Sequence, residues 1–140
     1  MARMARRDAI LDSSILIQHA RTRDKGRSHF ARSLSTFNSC LSVITVYELE
    51  LGAYRAGRSS DLDTLRIAFS ILPVTEEIAK RTAALDAALI RPNIQIGIKD
   101  TFIAATCLVQ NLPLITINMK HFNRIEGLDL IDLDSLPTLD

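Results

Sequence analysis

The 140-residue sequence has only two cysteines, no tryptophan and no long apolar run, and these absences exclude several classes of protein. Cys40 and Cys107 stand far apart, so they can form neither a four-thiolate metal site nor a disulfide scaffold. We expect both to be buried, reduced thiols. No segment reaches the roughly 18 consecutive apolar residues of a membrane helix, and the N-terminus has no apolar stretch of secretory-signal length. We therefore expect a cytoplasmic protein with no membrane partner.

The chain also has no large excess of charge of either sign. It carries 17 Lys and Arg residues against 16 Asp and Glu residues, a net charge of +1. This balance argues neither for nor against a nucleic-acid partner, because the positions of the charges matter more than their sum. With 47% hydrophobic residues the chain can bury a core of its own. We expect one domain over residues 1–140, with an ordered core over about 8–134, a basic extension over 1–7 and a tail over 135–140.

Short apolar runs alternate with helical patterns along the chain. The runs predict strands over residues 9–11, 40–44, 71–74, 114–117 and 128–133. Helices are expected to open at Ser13 and Thr45 and to cover residues 61–68, 76–89 and 99–109. Because the strands are short apolar runs without a polar face, we expect a short central parallel sheet flanked by helices, a three-layer α/β/α domain.

Three acidic residues lie next to core elements rather than on polar faces. Asp12 ends the first strand, Glu48 falls in the first turn of its helix, and Asp100 opens the most apolar helix. A carboxylate in such a place is costly unless it is neutralised. A divalent cation with oxygen ligands, such as Mg²⁺, can neutralise several carboxylates at once. Sites in parallel sheets form at the carboxyl ends of strands, where Asp12 and Asn118 both lie.

Each acid also has a purely structural explanation. Asp12 could cap the helix that follows it, a contribution of about 1 kcal/mol. Glu48 could close a capping box with Thr45. Asp100 could complement a helix dipole, which is worth about 0.3–1 kcal/mol. These explanations weaken when three separate elements each place one acid near the core, and a capping role does not exclude metal binding.

Two stretches in the first half of the chain resemble motifs of the PIN-domain family. Residues 11–17 resemble the opening Leu-Asp-Thr motif, with Ser13 where the family usually has threonine. Residues 42–52 are similar to the second motif, in which a glutamate, here Glu48, precedes a leucine and a glycine.

Two further stretches complete the resemblance in family order. Residues 96–106 resemble the third acidic motif of the VapC-like toxins, where an aspartate leads an alanine-rich helix. Residues 114–118, with His121 and Phe122 beyond, resemble the fourth motif, in which Asn118 replaces the aspartate of many relatives. The four motifs span nearly the whole chain.

The resemblance implies a metal-dependent endoribonuclease that is the toxin of a toxin–antitoxin pair. Such a protein hydrolyses RNA phosphodiester bonds with Mg²⁺ or Mn²⁺, forms a homodimer and is neutralised by a small antitoxin protein. The resemblance assigns catalysis and metal binding to Asp12, Glu48 and Asp100. It makes Asn118 a weak fourth metal ligand, since an amide oxygen can still bind a hard cation. The hydroxyls of Ser14 and Thr116 would hold a carboxylate or a water in place.

Positive charge near the acids would supply sequence-independent affinity for RNA. The candidates are Arg21, Arg23, Lys99, Lys120 and His121. An ordinary solvated face is the alternative for the arginines, and a surface histidine without a role is the alternative for His121.

Two other functions remain open from the sequence. A PIN-like module that binds RNA or protein without cleaving would be consistent with Asn118, which brings no charge. A phosphorelay receiver domain also alternates strands and helices, but it needs an acidic pair beside the first strand and an aspartate at a central strand end. This sequence has one acid at the first strand and places Glu48 in a helix.

Overall fold

Four short strands form a parallel sheet in the order β3-β2-β1-β4. The computed structural model describes residues 6–58 and 67–138 of the chain. The strands are β1 (Arg7–Leu11), β2 (Phe37–Ser42), β3 (Ser70–Leu72) and β4 (Leu114–Ile115). The helices are α1 (Ser13–Arg21), α2 (His29–Ser33), α3 (Val43–Arg55), α4 (Glu76–Ile90), α5 (Ile98–Gln110) and α6 (Met119–Phe122). Short 3₁₀ turns cover Lys25–Arg27 and Leu133–Ser135.

Each face of the sheet has its own hydrophobic core. Successive strand residues point to opposite faces, so Ile10 packs with Ile103 of α5 on one side, while Leu11 packs with Ile15 of α1 on the other. All of these side chains are fully buried, and burying one such side chain stabilises a fold by about 1.5–3 kcal/mol. The predicted three-layer α/β/α arrangement is confirmed.

Helix α3 begins earlier than its sequence pattern indicates. Ser42 is its N-cap, because the Ser42 hydroxyl accepts a hydrogen bond of 3.0 Å from the backbone N–H of Ile44. The predicted strand over 40–44 therefore ends at Ser42, and the capping box of Thr45 with Glu48 was wrong. Glu48 lies in the second turn of α3, where no free backbone N–H of a helix end needs its carboxylate.

The predicted strand over residues 128–133 was also wrong. Leu114 forms a single bridge to Leu130, with bonds from Leu114 N to the Asp129 carbonyl (2.8 Å) and from Ile131 N to the Leu114 carbonyl (3.0 Å). The β4 strand is only two residues long, so a neighbouring strand has nothing further to pair with. Asp132 then caps the 3₁₀ turn by accepting from the N–H of Asp134.

Part of the expected tail packs against the domain. Leu136 is buried in the core on the α1 side. The Arg32 guanidinium donates to the carbonyls of Leu136 (2.7 Å) and Pro137 (3.2 Å). The tail that we expected from residue 135 is thus fixed as far as Pro137. Most of the helix predicted over 61–68 lies outside the described residues.

No helix in the two described ranges is both long enough and apolar enough to cross a membrane.

Candidate active site

Asp12, Glu48 and Asp100 meet at one edge of the sheet. Asp12 directly follows β1, Glu48 lies on the helix that follows β2, and Asp100 lies in the first turn of α5. They are close enough for their charges to interact, since Asp100 raises the pKa of both other carboxyls and Asp12 raises that of Glu48. The structure therefore brings together the three acids predicted from the sequence.

Both carboxylate oxygens of Asp12 are held by hydrogen bonds. Oδ1 accepts from the backbone N–H of Ser14 at 2.8 Å, and it also accepts a short hydrogen bond from the Ser14 hydroxyl. Oδ2 accepts from the Thr116 hydroxyl at 2.6 Å. Asp12 is therefore the N-cap of α1, as its structural explanation required, and it is also a fixed carboxylate at the centre of the site.

The two hydroxyls that hold Asp12 are themselves fixed by backbone donors. Ser14 Oγ accepts from the N–H of Ile117 at 3.1 Å, and Thr116 Oγ1 accepts from the N–H of Asn118 at 2.9 Å. Each hydroxyl proton is thereby directed at the Asp12 carboxylate. The predicted role of Ser14 and Thr116 in holding a carboxylate matches these contacts, which join the start of α1 to the chain that leaves β4.

The Asp12 carboxyl is almost inaccessible, with 4% of the residue exposed. Burial raises its pKa above the ordinary value, and the charge of Asp100 raises it further, while the bonds from Ser14 and Thr116 act in the opposite direction. An ionised Asp12 is thus kept in place at an electrostatic cost. A cation beside it would offset that cost.

Glu48 is oriented differently, with its two oxygens in unlike surroundings. Oε2 lies 3.8 Å from Lys99 Nζ, whereas Oε1 is buried and accepts no hydrogen bond. Burial raises the pKa of Glu48, Lys99 opposes that shift, the charges of Asp100 and Asp12 add to it, and a side-chain hydrogen bond from Ser13 lowers it. Lys99, which the sequence suggested as an RNA contact, therefore lies beside a carboxylate of the site.

Asp100, His121 and Asn118 form a contact that the sequence did not predict. His121 Nδ1 lies 3.0 Å from Asp100 Oδ2 and 2.9 Å from Asn118 Nδ2. With a proton on Nδ1 the ring donates to Asp100, and without one it accepts from the Asn118 amide. Asn118 is the N-cap of α6, and His121 lies three residues later in the helix, so both side chains lie on the same turn. This spacing is the sequence pattern from which their contact could have been predicted.

The three acids do not converge on a single point, as the ligands of a bound metal ion would. Within residues 6–58 and 67–138, no three His, Cys, Asp or Glu side chains converge as metal ligands. Each acid faces another partner, namely hydroxyls for Asp12, Lys99 for Glu48 and His121 for Asp100. The donor chemistry nevertheless fits a hard divalent cation, because all three offer carboxylate oxygens and Glu48 Oε1 is a buried acceptor with nothing bound.

The basic residues after α1 are not gathered at this edge. Arg21 is exposed at the far end of α1, roughly 13 Å along the helix axis from Asp12 at 1.5 Å per residue, and Arg23 lies beyond that end. Lys25 donates instead to the carbonyls of His19 (2.8 Å) and Ala20 (2.5 Å). Lys120 is exposed and directly precedes His121, which contacts Asp100.

A family model described as the PIN domain matches residues 9–128. The match covers most of the chain, and the chain belongs to the PIN-domain family. Ribonuclease VapC10 of Mycobacterium tuberculosis is 33% identical over 119 residues, which is 85% of this chain and 89% of that protein.

Two solved structures are similar over almost their full length. VapBC-1 from nontypeable Haemophilus influenzae has a TM-score of 0.73 and 28% identity, covering 91% of this chain and 98% of that one. A toxin–antitoxin complex from Klebsiella pneumoniae has a TM-score of 0.69 and 26% identity, covering 90% and 98%.

Proposed function

We propose that this protein is a metal-dependent endoribonuclease that acts in the cytoplasm as the toxin of a toxin–antitoxin pair. The observation that carries the proposal is the buried Asp12 carboxylate, with both oxygens fixed and two further acids beside it. Relatives that are named ribonucleases, and similar chains found in a toxin–antitoxin complex, support the same activity.

The proposed cation, Mg²⁺ or Mn²⁺, binds to Asp12, Glu48 and Asp100, with the Asn118 amide as a weaker fourth ligand. When bound, it would lower the pKa of a water and neutralise charge on the scissile phosphate. The chain's own contribution is positioning. Asp12 is presented by two hydroxyls that are anchored to the backbone, and Glu48 adds a second, largely buried carboxylate.

Positive groups around the acids would guide the RNA backbone. Lys99 lies at the entrance, half exposed and beside Glu48, so it offers a donor to a phosphate when the carboxylate turns to the cation. His121 contacts Asp100, and the exposed Lys120 directly precedes it in the chain. Arg21 and Arg23 are placed for a more distant part of a long substrate, where their contribution is sequence-independent and sensitive to salt.

The proposed partners are a small antitoxin protein and a second copy of the chain. Large apolar side chains are exposed on the helices that carry the site: Ile17 on α1, and Tyr47 and Tyr54 on α3, which are 41%, 55% and 79% exposed. Such groups are common where proteins bind one another. Sedimentation of the purified chain at high concentration, alone and with the antitoxin, measures both associations, and a persistent monomer would contradict the dimer.

The test of the activity is cleavage of a labelled RNA with Mn²⁺, with a chelator, and by two variants. Asp12→Asn and Asp100→Asn should each abolish cleavage and leave the fold intact, since asparagine caps a helix as well as Asp12 does and Asp100 is not a cap. Glu76→Gln is the matched control for Asp100, because Glu76 also lies in the first turn of a helix but pairs with Lys80 of its own helix. Cleavage undiminished by chelation, or full activity of either aspartate variant, contradicts the proposal.

A wild-type chain that binds RNA in the presence of Mn²⁺ without cutting it would instead support the non-cleaving module.

A further inference from the structure

Thr45 carries a buried hydroxyl with no hydrogen-bond partner. The residue is fully inaccessible, and its Oγ1 is unpaired. The other buried threonines on the described helices are satisfied locally. Thr82 donates to the carbonyl of Ile78 at 2.7 Å, and Thr106 donates to that of Phe102 at 2.8 Å. Thr45 is therefore an exception among the buried threonines of the described helices.

The position of Thr45 in α3 explains why its hydroxyl lacks this local partner. Thr45 is the third residue of the helix, so the residue four positions earlier is Leu41. Leu41 belongs to β2 and pairs with Ile71 of β3, so its backbone follows the strand rather than the helix. A hydroxyl in the first turn of a helix that follows a strand has no helical carbonyl behind it.

Glu48 lies one turn further along the same face and has the complementary defect. Residues three apart on a helix are neighbours, with Cβ atoms about 5–6 Å apart. Glu48 Oε1 is also buried and without a hydrogen bond, so an unpaired donor and an unpaired acceptor lie about one helical turn apart. Leaving a buried polar group unpaired costs about 1–3 kcal/mol, and such groups are rare enough in folded proteins to require an explanation.

We propose that Thr45 is a positioning residue for Glu48 in the cation-bound state. When the Glu48 carboxylate turns from Lys99 towards the cation, the Thr45 hydroxyl donates to Oε1 and leaves Oε2 directed at the ion. This inference rests on the proposed function and extends it to a residue outside the acidic cluster. In the metal-free protein the hydroxyl makes no hydrogen bond, whereas in the bound protein it fixes a ligand.

The test uses Thr45→Val, which keeps the shape and removes the hydroxyl, and Thr45→Ser, which keeps the hydroxyl. Mn²⁺ affinity is measured by titration calorimetry, and thermal unfolding is followed without metal. Thr45→Val should bind Mn²⁺ about tenfold more weakly, as expected when a group that orients a ligand is lost, and Thr45→Ser should restore the affinity. Metal-free Thr45→Val should melt no lower than wild type, because no hydrogen bond is lost.

Thr106→Val is the matched control, since Thr106 is equally buried but hydrogen-bonded. This variant should melt at a lower temperature than wild type, but while it is folded it should bind Mn²⁺ with the wild-type affinity. If wild type binds Mn²⁺ and Thr45→Val binds it equally well, the inference is overturned and the proposed function stands. A marked drop in the melting temperature of metal-free Thr45→Val also overturns it, because the hydroxyl then has a structural partner. If wild type binds no divalent cation, the inference and the proposed function fail together.

Discussion

The Thr116 hydroxyl donates a 2.6 Å hydrogen bond to Asp12 Oδ2 across 104 residues of sequence. The same hydroxyl accepts from the N–H of Asn118, so its proton has one direction available. Strands β1 and β4 are neighbours in the sheet, with Leu11 opposite Ile115. Because of that register, Asp12 and Thr116, which directly follow the two strands, lie side by side. The neutral Thr116 hydroxyl can therefore orient the central acid of the site.

Replacing Thr116 with valine should therefore damage the site without unfolding the domain. Valine fills the same space but donates no hydrogen bond to Asp12 Oδ2. The carboxylate is then held only at Oδ1, by Ser14, and its orientation is less well fixed. We expect Mn²⁺ affinity and RNA cleavage to fall by about 10–100-fold, the usual effect of losing a group that orients a metal ligand. Calorimetric titration and a cleavage assay measure the two effects.

Thr116→Ser keeps the hydroxyl and should retain most of the binding. Thr82→Val removes a buried hydroxyl bond of similar length on α4 and should leave Mn²⁺ affinity unchanged. Wild-type affinity in Thr116→Val would show that Ser14 alone orients Asp12.

Glu48→Gln should make the metal-free protein more stable at neutral pH. Burial raises the pKa of Glu48 in the folded chain, so the folded state resists ionisation more than the unfolded state does, and the ionised carboxylate destabilises the fold above that raised pKa. Glutamine avoids this cost. Below the ordinary pKa of glutamate the side chain is protonated in both states, so the advantage of glutamine should disappear as the pH falls through that range.

Melting temperatures of both proteins between pH 4 and 8, measured in chelator, test this prediction. The pair with Lys99 is half exposed and spaced at 3.8 Å, and its loss should cost no more than about 1 kcal/mol. Added Mn²⁺ should raise the melting temperature of wild type, since it binds the folded state, and raise that of Glu48→Gln much less. A lower melting temperature for Glu48→Gln at every pH would indicate that Glu48 is mainly structural.

Lys120 and His121 are adjacent, and their alanine variants should fail in different ways. Lys120→Ala should weaken RNA binding and reduce the slope of log affinity against log salt by about one, the effect of a lost phosphate contact. His121→Ala removes the group beside Asp100 and should weaken Mn²⁺ binding. Filter binding at several salt concentrations and metal titration of both variants distinguish the roles, and identical behaviour in both assays would refute the distinction.

The sequence predicted the layers of this fold because short apolar runs alternate with helical patterns along most of the chain. Ile10 and Leu11 need only the alternation of a strand to find opposite cores. The boundaries were less predictable, since they depend on which hydroxyl reaches which backbone group. Both Ser42 and Thr45 are good caps by residue type, and only the end of β2 determines that Ser42 is used.

The acids of the site were predictable because Asp12 and Asp100 lie at the ends of recognisable elements and Glu48 lies in a stretch that resembles a family motif. Their partners were not. The contact between Lys99 and Glu48 joins α5 to α3, which are far apart in the sequence, and no local pattern reports it. The contact between His121 and Asp100 similarly depends on where the short helix after β4 packs.

The bond between Thr116 and Asp12 also makes the central acid depend on the order of synthesis. Asp12 is translated 104 residues before Thr116, so a nascent chain carries the carboxylate before the hydroxyl that orients it exists. Contacts that are distant in sequence form only after the intervening chain is available. A product that terminates before β4 would therefore carry Asp12 without the group that orients it.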